Sequence, residues 1–204
     1  MNICCDNEFR PLTDPMAIDH HIRMNYAKPQ EHVPEAKRNN RVIKEMVRAT
    51  YHRLPYIHLP RIMVKYLVVE SAKKLNFFPA KYGISKYYSP RMILHQQNLD
   101  FTKHCKYSFG LYVQGHDEPS PSNTNASRTL DCIYLRPVSS MQGGHELLHL
   151  ATNKLVIRRR VTEIPLTKAI ISRVHAIAIM DKMPTGLKIH NRYNDLLFDS
   201  SCIE

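Results

Sequence analysis

The densest chemistry in the chain is His145-Glu146-Leu147-Leu148-His149, which matches H-E-x-x-H. On a helix, histidines four apart stand about 6 Å from each other on one face and can share a zinc. The glutamate then activates the bound water of a hydrolase. On a strand the same two histidines lie about 13 Å apart, beyond what one zinc with ~2 Å bonds can bridge. The surroundings favour a strand. Gly143-Gly144 precedes the motif, Thr152-Asn153 turns the chain directly after it, and a Val- and Ile-bearing run follows. That is the pattern of a hairpin. The later histidines, His175 and His190, sit at no familiar third-ligand spacing. The expectation is a strand with two surface histidines and no metal site. A zinc-dependent hydrolase using His145, Glu146 and His149 is the alternative.

The second concentration of chemistry is positive charge. The chain has 29 Lys and Arg against 18 Asp and Glu, a formal charge of +11. Such an excess favours an anionic partner, nucleic acid before an acidic membrane. Part of it is patterned. From Glu35 to Leu54 the spacing predicts a helix, with Pro34 in its first turn and Pro55 at its end. Ala36, Ile43, Val47 and Leu54 fall within about 40° of one another on that helix. Lys37, Arg41, Lys44 and Arg48 fall within about 60° on another face. A cationic ridge of this kind tracks phosphates without reading bases, and its affinity falls with salt. Arg158-Arg159-Arg160 adds a second cluster, where strand alternation puts Arg158 and Arg160 on one side and Arg159 on the other. Lys103, His104 and Lys106 stand where the strand-rich part begins. A basic interaction module without chemistry is a further alternative, since surface charge is ordinarily just solvated.

The elements that would position these residues divide the chain in four. A helix from Arg61 to Leu75 follows Pro60 and should pack on its predecessor. Residues 77–100 look irregular. Ser108 to Gln114, Thr129 to Leu135, His145 to Leu150 and Leu155 to Ile164 read as strands, with a Pro-, Ser- and Asn-rich loop from Asp117 to Ser127. Thr167 to Asp181 reads as a helix, and the last 20 residues as an extended tail. The composition, 43% hydrophobic and 23% charged, permits a core. No apolar run reaches the ~18 residues of a membrane span, and Asp6, Glu8 and Arg10 break any signal pattern. Cys4, Cys5, Cys105, Cys132 and Cys202 form no C-x-x-C pair, which fits reduced thiols in an intracellular protein of nucleus or cytoplasm, not a secreted one.

An ordered series of short motifs carries a family resemblance. Glu31-His32-Val33-Pro34-Glu35, then Arg38, Arg41-Val42-Ile43-Lys44-Glu45 and Arg48-Ala49 resemble the last catalytic helix of copia-type retrotransposon integrases. Phe78-Pro79-Ala80-Lys81, Gly83-Ile84-Ser85 and Tyr88-Ser89-Pro90-Arg91-Met92-Ile93 are similar to the segment that follows it. Tyr134-Leu135-Arg136-Pro137, Gln142-Gly143-Gly144-His145-Glu146-Leu147 and Arg158-Arg159-Arg160-Val161-Thr162 continue the series. Gly186-Leu187-Lys188 and Asn191-Arg192 through Asp199-Ser200 resemble the linker toward the reverse transcriptase.

The resemblance implies an RNase H-like core in which three carboxylates hold two Mg²⁺ or Mn²⁺ ions for phosphoryl transfer. Asp6 stands where the second acid belongs. The first would lie before Met1, so the chain reads as a piece of a polyprotein. The third acid's position is Lys37, whose ammonium repels a divalent metal. Glu35, two residues away, is turned by about 200° on a helix. The expectation is therefore a catalytically dead fragment, leaning away from an enzyme. It would keep weak, sequence-independent DNA binding through Lys37, Arg41, Lys44, Arg48, Arg158 and Arg160. No cofactor and no membrane partner are expected, and other polyprotein-derived chains are a second partner class. The expected fold is α+β. A truncated RNase H-like remnant with two packed helices takes 1–57, and a helical and irregular extension takes 58–100. A small antiparallel β barrel-like module spans 101–166, and a helix with an extended linker tail spans 167–204.

Overall fold

The computed structural model describes residues 2–5, 7–26, 34–81, 83–116, 127–138, 143–190 and 196–199. Asp6, Glu31 to Val33, Gln142, most of the 117–127 loop and the end of the tail lie outside them. The chain forms two units, Met1–Glu45 and Met46–Glu204.

In the first unit, β1 (Asn2–Cys5) pairs in parallel with β2 (Arg23–Tyr26), with Ile3 opposite Met24 and Cys4 opposite Asn25. Parallel neighbours need a crossover. A short 3-10 helix, Asn7–Leu12, and α1 (Thr13–His20) supply it. Both prolines that look like breakers are absorbed there. Pro11 lies in the 3-10 helix, and Pro15 lies in the first turn of α1, where no N–H is missed. His21 closes α1 in the left-handed conformation at φ 51°. α2 (Pro34–Tyr51) begins in this unit with Pro34 as its first residue.

The second unit takes up the end of α2, which stops three residues short of the expected Leu54. Pro55 bars its predecessor from helical torsions, and Leu54 N–H turns back to the Tyr51 carbonyl at 2.9 Å. Val47 and Tyr51 are buried, and the Tyr51 hydroxyl donates to the Ile57 carbonyl at 3.0 Å. α3 (Arg61–Lys74) buries Met63, Leu67, Glu70 and Ser71, one face at helical spacing. It lies against the strand Thr129–Pro137 of the sheet described next. Residues 77–100, expected to be irregular, contain α4 (Pro90–His95), capped by the Ser89 hydroxyl accepting from Met92 N–H at 3.2 Å. α5 (Phe101–His104) follows, capped by Asp100.

The sheet has five antiparallel strands: β3 (Tyr112–His116), β4 (Thr129–Pro137), β5 (His145–His149), β6 (Lys154–Arg158) and β7 (Val161–Glu163). Their order is β6-β5-β4-β3-β7, so the last strand returns to pair with the first. One strand expected from Leu155 to Ile164 is in fact two, broken at Arg159-Arg160, because the second half pairs with β3 (Val113 opposite Glu163) and not with β5. Val113, Cys132, Tyr134 and Leu147 form the core of one face. Ile133, Leu135 and Leu148 are as fully buried. Alternation places Ile133 and Leu148 on the opposite face, so the central strands are covered on both sides. A register shift between Tyr134 and Arg136 re-aims β4 at its end.

α6 (Lys168–Met180) matches the expected helix, with the Thr167 hydroxyl as its cap. Arg173 ties it to the β5–β6 turn, donating to the Leu150 and Ala151 carbonyls at 2.9 and 3.2 Å. Within the tail, β8 (Lys188–His190) pairs antiparallel with β9 (Leu196–Asp199). The fold class is therefore mixed α+β. Among the described residues, no helix is long and apolar enough to cross a membrane.

Candidate nucleic-acid interface

In the first unit, Lys37 and Arg41 are exposed on α2 and Lys44 is half-buried. In the second unit, Arg48 is half-buried on the last turns of the same helix. Asp6, the acid assigned by resemblance, lies outside the described residues.

The three consecutive arginines do not alternate along a strand. β6 ends at Arg158, and Arg159 with Arg160 makes the turn into β7. Arg158 lays its stem beside Gly115, where an added Cβ would meet the Arg158 Cγ at 3.1 Å. Its guanidinium donates to the Ile157 carbonyl at 2.9 Å. Arg160 is exposed, and its carbonyl accepts from His116 N–H at 3.0 Å. Arg159 points the clearest way to an anion. It lines a cleft of about 480 Å³ with Lys103, Lys106 and His145, where Asp100 also lies and pairs with Lys103 at 3.5 Å. The sequence reading had Lys103, Lys106 and the arginines as separate clusters. Only the return of β7 to β3 brings them to one cleft.

The H-E-x-x-H residues occupy β5, a strand, and each engages different neighbours. His145 packs edge-on to Tyr107 and beside Tyr134, with ring centroids 5.3 and 5.5 Å away. Burial, helped by Lys106, pushes its imidazole below the ordinary value. His149 Nδ1 meets the Thr152 hydroxyl at 2.8 Å. Glu146 points to the other face of the sheet, as alternation requires. Both of its oxygens accept from Arg136, at 2.8 and 2.9 Å. A strand holding its residues in this way does not offer two imidazoles and a carboxylate to one zinc.

The Glu146 cluster is a feature that sequence reasoning missed. The Arg136 guanidinium sits 5.0 Å over the Tyr66 ring of α3, a cation–π contact that fixes the helix on the sheet. Burial pushes the Glu146 carboxyl up, but hydrogen bonds from Arg136 and Tyr66 outweigh it and hold the group below its usual range. Glu70, one turn further along α3, goes the opposite way. Burial raises it despite Lys74, Lys73 and Arg136 nearby. Arg136 falls one residue beyond the expected Thr129–Leu135 strand, and only the pairing of β4 with β5 brings it opposite Glu146.

Compared with models of known families, the sequence matches none, and no curated protein matches it. The functional reading rests on the residues and their geometry.

Proposed function

We propose that the chain is part of a copia-type retrotransposon integrase region that binds nucleic acid without catalysing strand transfer. One observation carries the reading. A parallel β1–β2 pair joined through α1 leads into α2, the order that an RNase H-like core has around its second and third acids. The position of the third acid is Lys37 on that helix, exposed and cationic. A positive charge there disfavours the pair of divalent metals that phosphoryl transfer needs. The sheet that follows, with β7 returning to β3, is consistent with the small barrel-like module of the family.

What the residues retain is attraction for phosphate. Lys37 and Arg41 present it on α2, and Lys103, Lys106 and Arg159 present it at the cleft. These groups read charge and not sequence. The test is a fluorescence-anisotropy titration of a labelled duplex against salt. With three or so phosphates neutralised, affinity should fall about 40-fold between roughly 50 and 200 mM salt. Lys37→Ala should flatten the slope by about one. Affinity that ignores salt would end the reading. So would strand-transfer products from the unmodified chain in Mg²⁺ or Mn²⁺.

A further inference from the structure

The segment between α3 and α5 has an unusual composition. From Ser71 to Leu99 there is no acidic residue, while Lys73, Lys74, Lys81, Lys86 and Arg91 all lie in it. Phe77 is buried, but the other described aromatic residues of the segment are not. Tyr87 is 87% exposed and Tyr88 58%, and Phe78 is exposed as well. Tyrosines in solvent, interleaved with cations, need a reason, since burial is what ordinarily stabilises an aromatic ring in a fold.

The backbone that carries them is built. Arg91 N–H donates to the Asn76 carbonyl at 3.1 Å, so the two ends of the excursion meet. That closure is the hallmark of a compact surface loop. At its tip, the Ser85 hydroxyl accepts from both Tyr87 N–H and Tyr88 N–H, at 3.1 and 3.0 Å. The two rings therefore project from a hydrogen-bonded turn. At its base, Arg91 donates to Gln97 Oε1 at 3.2 Å and meets His104 Nε2 at 3.3 Å. Arg91, Lys73, His95 and His104 line a cleft of about 340 Å³ there.

We infer that this loop is a binding site for single-stranded nucleic acid, with bases stacking on Tyr87 and Tyr88 and phosphates running past Lys86 and Lys81 toward Arg91. Each part meets one requirement of such a ligand. A ring gives a sequence-tolerant platform for any unpaired base, and a cation-rich surface follows the backbone, with Glu70 lining the cleft beside Arg91 and Lys73. A duplex hides its bases and would leave the tyrosines idle. A protein-binding patch would be depleted of lysine at its centre, and a membrane-surface site would be an amphipathic helix. Among the described residues, the helix formed within the segment is α4, six residues long. Arg91 also lines the Lys103–Arg159 cleft, so the two cationic surfaces meet there, while the stacking rings belong to the loop. The inference does not depend on the integrase reading.

The experiment titrates the full chain with labelled 20-mers of uridine and thymidine, an abasic 20-mer of the same charge, a duplex, and phosphatidylserine vesicles. The unmodified chain should bind the based strands more tightly than the abasic one, with quenching of tyrosine fluorescence. Tyr87→Ala and Tyr88→Ala should each weaken binding to the based strands about tenfold. Tyr87→Phe and Tyr88→Phe should keep it, and duplex affinity should not move. Because both side chains are exposed, circular dichroism of the variants should match the parent. Equal affinity for abasic and based strands would overturn the inference, as would alanine variants that bind single strands unchanged. Vesicle binding lost in the alanine variants, with strand binding intact, would replace it with a membrane site. Duplex binding measured in parallel reports on the proposed function independently.

Discussion

Arg136 grips Glu146 through both carboxylate oxygens, at 2.8 and 2.9 Å, across the β4–β5 pairing. With side chains only 18% and 10% exposed, neither partner has water to fall back on. Arg136→Met should destabilise the fold by about 3 kcal/mol, because it strands a buried carboxylate. Arg136→Met with Glu146→Leu should recover most of the loss. Urea melts of the single and double variants measure it. A double variant no better than Arg136→Met would mean that packing, not charge, sets the cost. The pair also fixes a pH response. Glu146 titrates lower folded than unfolded, so the unfolded state binds more protons. Its stabilisation is full above the ordinary 4.5 and is lost as pH falls through the folded value.

Glu70 should respond with the opposite sign. Burial raises its folded value above 4.5, so the folded state holds its proton to higher pH than the unfolded state does. Its contribution to stability therefore declines as pH rises through that window. Glu70→Gln should remove the decline and be at least as stable as the parent at neutral pH. Melting curves of both proteins between pH 4 and pH 8, on the order of half-unit steps, decide it. A Gln variant that is weaker at neutral pH would show that the charge is a net stabiliser.

Gly110 has φ 86° and lies against Leu54, and its carbonyl accepts from the Tyr56 hydroxyl at 3.0 Å. A Cβ would strain the backbone and collide with the Leu54 side chain at once. Gly110→Ala should cost about 2 kcal/mol or more. Gly143 also has positive φ but opens onto free space, so Gly143→Ala should cost less. Equal melting temperatures for the two variants would count against this account.

For β5, the outcome to expect is the absence of a tight zinc site built on the strand histidines. Competition between the protein and a chromogenic zinc chelator measures it, with His145→Ala and His149→Ala as controls. One zinc per chain, lost in either variant, would return the hydrolase reading.

The parts of this molecule that were legible beforehand are those written locally. Pro34, Pro60 and Thr167 mark helix starts by what they do to the first turn, and α2, α3 and α6 begin within a residue of those marks. Gly143-Gly144 and Asn153, which takes φ 54°, bracket the His145–His149 strand in the same local way. What escaped was decided at a distance. Nothing in Leu155 to Ile164 resembles a turn, and its break at Arg159-Arg160 exists because Val161 to Glu163 pair with Val113 to Gly115. The Lys103–Arg159 cleft and the Arg136–Glu146 grip are consequences of such pairings. α1 buries none of its residues, so no periodicity announced it. The exposure of Tyr87 and Tyr88 was not legible either, because no periodicity in that segment separates a buried from a solvent-facing ring.

The pairing of β7 with β3 also sets a timetable. Val113 meets Glu163 across forty-nine intervening positions, so one edge of β3 stays open until synthesis has passed Glu163. Contacts this distant in sequence form late, after the β5–β6 hairpin has closed on its own short turn. A nascent chain paused in the arginine run would expose the Tyr112–His116 edge as a template for any neighbouring strand. The sheet is thus complete only on the arrival of a three-residue strand, Val161–Glu163.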